Sequence, residues 1–107
     1  MFRDSPFPFE GGEFPRELGA VVQRTVLTGE MPALVVIHDA GNSWLVGDGV
    51  NDPNDDASVA THMHHAIRLN SSIASLASMP LGAIATREGP KRPWRVEPFT
   101  WDEDQAK

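Results

Sequence analysis

Five consecutive apolar residues, Ala33-Leu34-Val35-Val36-Ile37, constrain this chain more than any other feature. An unbroken β-rich run of this kind marks a strand buried on both faces, and predicts the central strand of a sheet. Asp39-Ala40-Gly41-Asn42 follows with turn chemistry, and Ser43-Trp44-Leu45-Val46 returns, so the two runs read as a hairpin.

The remaining pattern arranges itself around that hairpin. Gly19 to Gln23 opens the ordered body with a strand at Ala20-Val21-Val22, and Thr25 to Gly29 reads as a short link. Gly47 to Asp56 is a long polar loop. The next regular element spans Ala57 to Asn70, where Met63, Ala66 and Ile67 share one helical face while His64 and Arg68 project from the other side. Asn70 is placed to cap a second short helix, Ser71 to Met79, which Pro80 stops. Leu81 to Thr86 predicts a strand, Glu88 to Pro93 a turn, and Trp94-Arg95-Val96 an edge strand. The expected fold is α+β, a small, mostly antiparallel sheet with two short helices packed on one face. Three segments are expected: a Pro-, Gly- and Phe-rich arm over residues 1–18, one domain over 19–100, and an acidic tail over 101–107. Phe2, Phe7, Phe9 and Phe14 suit an arm laid across an apolar edge, because exposed aromatic clusters limit solubility.

At 107 residues the chain fits one domain, with enough core to fold and little left for a deep cleft. Its net charge of −6 argues against duplex nucleic acid and anionic membranes, which both select a basic footprint. The nine Lys and Arg are scattered, the tightest group being Arg87, Lys91, Arg92 and Arg95. With no cysteine there is no disulfide, thiolate nucleophile or Cys-ligated zinc, which suits a cytoplasmic location. The Pro-broken N-terminus does not resemble a signal peptide, and no run approaches a spanning helix.

Four constellations bear on chemistry. His62 and His65 are three apart and share a helical face, and His38 ends the central strand, so the three together outline an open zinc site. The spacing is not His-Glu-x-x-His, and the alternative is a polar helix face. Asp52-x-Asn54-x-Asp56 imitates the start of a calcium loop, but Ala57 and Met63 stand where its glycine and glutamate belong. No Gly-x-Ser-x-Gly elbow, phosphate-binding loop or assignable carboxylate pair is present, so no enzyme activity is expected. Trp44 and Trp94 read as core residues with their N–H groups bonded at the rim, and Trp101 as an interface anchor.

The order of elements from Gly19 to Val96 resembles a bacterial domain-of-unknown-function family grouped with predicted immunity proteins of polymorphic toxin systems. The resemblance is carried by His38-Asp39 followed by a turn and Trp44, by the Asp-rich loop, and by His65. It is carried above all by Asn70-Ser71-Ser72-Ile73-x-x-Leu76-x-x-x-Pro80-Leu81-Gly82 followed by Arg87. Two departures stand out: Asn70-Ser71 replaces the family's Asp-Pro, and of the histidine run only His65 is in register. The resemblance implies a small α+β fold and a protein-binding role, and supplies no catalytic residues.

The resulting expectation is a non-catalytic, cytoplasmic protein-binding module for a basic toxin or enzyme. Asp48, Asp52, Asp55 and Asp56, with the acidic tail, would present carboxylates to the partner's cleft, with Trp101 or the Phe-rich arm as apolar anchor. No cofactor is expected. The alternatives are a zinc-binding protein or metal-dependent enzyme using His38, His62 and His65, and a homodimeric accessory domain joined by the arm.

Overall fold

A computed structural model describes residues 9, 12–15, 17–50 and 58–99. Six strands form one sheet: β1 (Gly19–Gln23), β2 (Val35–His38), β3 (Trp44–Gly47), β4 (Ser58–His62), β5 (Ala83–Thr86) and β6 (Arg95–Pro98). Their spatial order is β4-β1-β3-β2-β5-β6, and only the β1–β3 pairing is parallel. Two short α-helices, α1 (Arg24–Leu27) and α2 (Met63–Leu69), and a 3₁₀ turn at Ser71–Leu76 complete the α+β fold. No described helix is long and apolar enough to cross a membrane.

The β2–β3 hairpin forms where the turn residues place it. Asp39 accepts hydrogen bonds on Oδ1 from the N–H groups of Gly41 (2.9 Å) and Ser43 (3.0 Å), an Asx-type turn. Asn42 takes the left-handed conformation at φ 69°, a region its short polar side chain tolerates better than most. The apolar run is central, as expected, but it is not buried on both sides. Val36 and His38 point into the core while Val35 and Ile37 are half-buried on the opposite face.

That alternation holds across the sheet. Ala20, Val22, Val36, Trp44, Val46, Ala83 and Ala85 face one side, where Val26, Met63, Ala66, Ile73 and Leu76 of the helical segments join them in one core. Phe9 and Phe14 close this core against Trp44, at ring-centroid distances of 6.0 and 4.9 Å. All the helical segments therefore form a single layer, as the sequence order implied.

Three local expectations are revised. Residues 24–27 make a helical turn instead of a polar link, because Val26 is drawn fully into the core. The element expected to run from Ala57 as one helix divides: Ser58–His62 pairs with β1 as an edge strand, and helix begins only at Met63. Asn70 makes no side-chain cap. Its Oδ1 instead accepts from the Ala33 N–H (3.1 Å) and from Arg87 Nη2 (3.2 Å), tying α2 to the entry of β2.

Candidate functional site

The corner between β4 and α2 gathers three of the chain's four histidines. His62 is the last residue of β4, held opposite Gly19 of β1. Met63 then turns fully into the core, and its N–H donates to the Leu18 carbonyl at 2.9 Å. His64 and His65 occupy the first turn of α2. The change from extended to helical backbone at Met63 swings these two imidazoles back toward His62. One nitrogen from each ring lies within 4.8 Å of the others, and all three residues are half-buried. Ring centroids are 6.0 Å apart for His62–His64, 6.1 Å for His62–His65 and 4.2 Å for His64–His65. Beside His65 a shallow groove is lined by Leu27, Thr28, Thr61, Arg68 and Leu69.

The structure corrects the expected ligand set. His62 and His65 do come together, but His38 is not with them. It is fully buried in the core, stacked on Trp44 at 3.9 Å and 11°. Its Nδ1 donates to the Met79 carbonyl at 2.8 Å, and its Nε2 lies 2.8 Å from Asn42 Oδ1. Both ring nitrogens are thus engaged in joining β2 to the chain after the 3₁₀ turn and to its own hairpin. The third imidazole of the cluster is His64. Within one continuous helix His64 projects opposite the Met63, Ala66 and Ile67 face and sits about 200° around from His62, so helical spacing does not bring the two together. The signal that could have found it is Ser58-Val59-Ala60-Thr61, whose β-branched residues alternate as a strand does.

Asp48 is corrected too. It is fully buried instead of presented to solvent. Thr25 Oγ1 donates to its Oδ2 at 2.6 Å and the Val50 N–H to its Oδ1 at 2.8 Å, while its own N–H donates to Gln23 Oε1 at 2.8 Å. A carboxylate so engaged locks the exit of β3 to the β1–α1 junction and has no surface role. Asp52, Asp55, Asp56 and Trp101 lie outside the described residues. Trp94 is half-buried and donates from Nε1 to Ser72 Oγ (3.1 Å), as expected of a rim indole. Trp44 differs, since its buried Nε1 has no hydrogen-bond partner among the described residues.

A second feature is the face of the sheet away from the helices. The register aligns Ala60, Val21, Leu45, Ile37 and Ile84 in one row across β4, β1, β3, β2 and β5. Val21 is 38% exposed, and Leu45, Ile37 and Ile84 are half-buried. The row is hidden in the sequence because the unbroken apolar run around Val35 and Ile37 carries no alternation to mark an open face. Beside it, two residues along β2 from Ile37, Gly49 approaches Val35 so closely that a Cβ there would lie 3.2 Å from Val35 Cγ2. The connection from β3 to β4, whose sequence carries Asp52, Asp55 and Asp56, therefore starts out against this face.

No family model matches the chain, and neither a curated protein nor a solved structure is similar to it.

Proposed function

We propose that this chain is a protein-binding module that receives a basic protein partner on the helix-free face of its sheet. The observation that supports it is the apolar row from Val21 through Leu45 and Ile37 to Ile84. A continuous apolar stripe left partly in water is the kind of surface that a partner covers. Charge supplies the partner's chemistry. The net charge is −6, and the sequence between β3 and β4 includes Asp52, Asp55 and Asp56, so a basic surface is drawn to the protein and its approach is steered. The resemblance to immunity-type domains favours a toxin as that partner. Asp48 takes no part, and the apolar anchor is the row itself.

The test compares two lysine substitutions of equal charge on opposite sides of the molecule. Val21→Lys places an ammonium in the row; Leu69→Lys places one on α2, at a leucine already 52% exposed. Tag-free native protein and both variants are coupled to resin and challenged with lysate of the native cell at low and high salt. One basic protein held by the native chain and by Leu69→Lys, released by salt and lost from Val21→Lys, is the expected result. Equal retention by Val21→Lys overturns the assignment of the face. A native dimer that Val21→Lys converts to monomer in sedimentation equilibrium overturns the foreign partner in favour of a second copy.

A further inference from the structure

We propose that His62, His64 and His65 form a three-imidazole site for a divalent zinc-type ion at the β4–α2 corner. Three observations carry this, independently of the binding face. The first is convergence: residues from two different kinds of secondary structure bring one nitrogen each within 4.8 Å of the others. The second is chemistry. The set offers imidazole nitrogen and no carboxylate, which suits zinc, copper or nickel and not calcium or magnesium. Three histidines with an open fourth position is the arrangement of exposed zinc centres.

The third is support. His62 is pinned by the β1–β4 ladder, and Met63, fully buried between it and His64, fixes the corner from below. The backbone is therefore set before any ion arrives, and only side-chain rotation is left to complete the site. Zn–N bonds of about 2.1 Å put tetrahedral ligand nitrogens about 3.4 Å apart and ring centroids roughly 5 Å apart. The centroid distances of 6.0, 6.1 and 4.2 Å fall on both sides of that value. Closing the site on an ion requires side-chain rotations of about an ångström at the rings. Arg68, one turn along α2, adds a like charge, but it is exposed and screened by solvent.

The test is calorimetric titration of the tag-free, full-length chain with zinc chloride in a non-coordinating buffer. It is repeated on His62→Gln, His64→Gln and His65→Gln, and on the triple variant Asp52→Asn, Asp55→Asn, Asp56→Asn. The expected result is saturable one-to-one binding by the native chain. Each histidine variant weakens it by at least about tenfold, the lower end of what outer-shell changes alone cost, and the aspartate variant leaves it unchanged. Circular dichroism of each variant without zinc is expected to match the native chain, since all three histidines lie at the surface of the corner. Absence of saturable binding by the native chain overturns the proposal. So does native affinity retained by the three histidine variants, or loss of binding in the aspartate variant.

Discussion

Arg87 is the residue whose replacement tests the packing argument most directly. It follows β5, is only 8% exposed, and holds four acceptors from separate parts of the chain. Nε donates to the Ala33 carbonyl at 2.8 Å, Nη1 to Ser72 Oγ and to the Pro90 carbonyl at 2.8 Å each, and Nη2 to Asn70 Oδ1 at 3.2 Å. The guanidinium also lies 4.4 Å from the centre of the Trp94 ring. Burial holds its pKa below the usual guanidinium value, yet it stays charged at neutral pH.

Arg87→Met keeps the apolar stem and removes the fork. Ser72 Oγ still accepts from Trp94, and the exposed Pro90 regains water, so those two bonds cost little. Asn70 Oδ1 keeps the Ala33 N–H. The buried Ala33 carbonyl loses its side-chain donor, at about 1–3 kcal/mol, and the cation–π contact adds about 1 kcal/mol. Relief of guanidinium desolvation offsets part of this, leaving a net loss of roughly 2–3 kcal/mol. For a domain near 100 residues that corresponds to a fall in Tm of roughly 8–24 °C. Arg87→Lys keeps one charge but cannot fork, and falls between the two. Urea unfolding followed by circular dichroism reads both through the midpoint, with an unchanged slope as the check on two-state behaviour. A loss below about 1 kcal/mol for Arg87→Met, or a lysine variant as stable as native, would refute the reasoning.

Two further substitutions separate structural from surface roles. Asp48→Ala, which strands the Thr25 hydroxyl and the Val50 N–H, is expected to lower stability by about 2–3 kcal/mol in the same urea assay. Asp48→Asn, which keeps an oxygen for Val50, is expected to cost less. Trp44→Ala empties the site under Phe9, Phe14 and His38 and is expected to cost about 3–5 kcal/mol. Trp44→Phe is expected to cost far less than that, because it also removes the unpartnered Nε1–H. A phenylalanine variant as unstable as the alanine variant would show that the orphaned donor carries no penalty.

The parts of the fold legible in the sequence are those set by local chemistry. The β2–β3 hairpin was readable because Asp39 to Asn42 contains its own turn bonds, and β5 and β6 because Glu88 to Pro93 punctuates them. What escaped was decided by distant partners. Residues 58–62 became strand because β1 offered an edge to pair with, a tertiary choice that helical spacing in the same window conceals. Asn70 has the chemistry of a cap, but the Ala33 N–H, 37 residues away in sequence, claims its oxygen. The same division holds for the sites. The proximity of His62 to His65 follows from their spacing, whereas that of His64 depends on the corner. His38 was misplaced because nothing in its own neighbourhood announces that Met79 will accept from its ring.

The two edges of the sheet are unequal in their exposure to unwanted strand addition. Along β6 every side chain is exposed, Arg95 and Glu97 put charge on the rim, and Pro98 removes a donor. The Phe99 N–H points inward to the Gly82 carbonyl at 2.7 Å, so by alternation the Pro98 nitrogen is on the outward side, where an incoming strand would look for a hydrogen. Charge and proline are the usual means by which an edge rejects a neighbour. The opposite edge, Ser58-Val59-Ala60-Thr61-His62, has neither a Lys, Arg, Asp or Glu nor a proline. Among the described residues no strand pairs with its outer rim, and it ends at the histidine corner. Among the described residues, growth of this sheet into a fibre or a swapped dimer is thus opposed by charge and proline along β6 and by neither along β4.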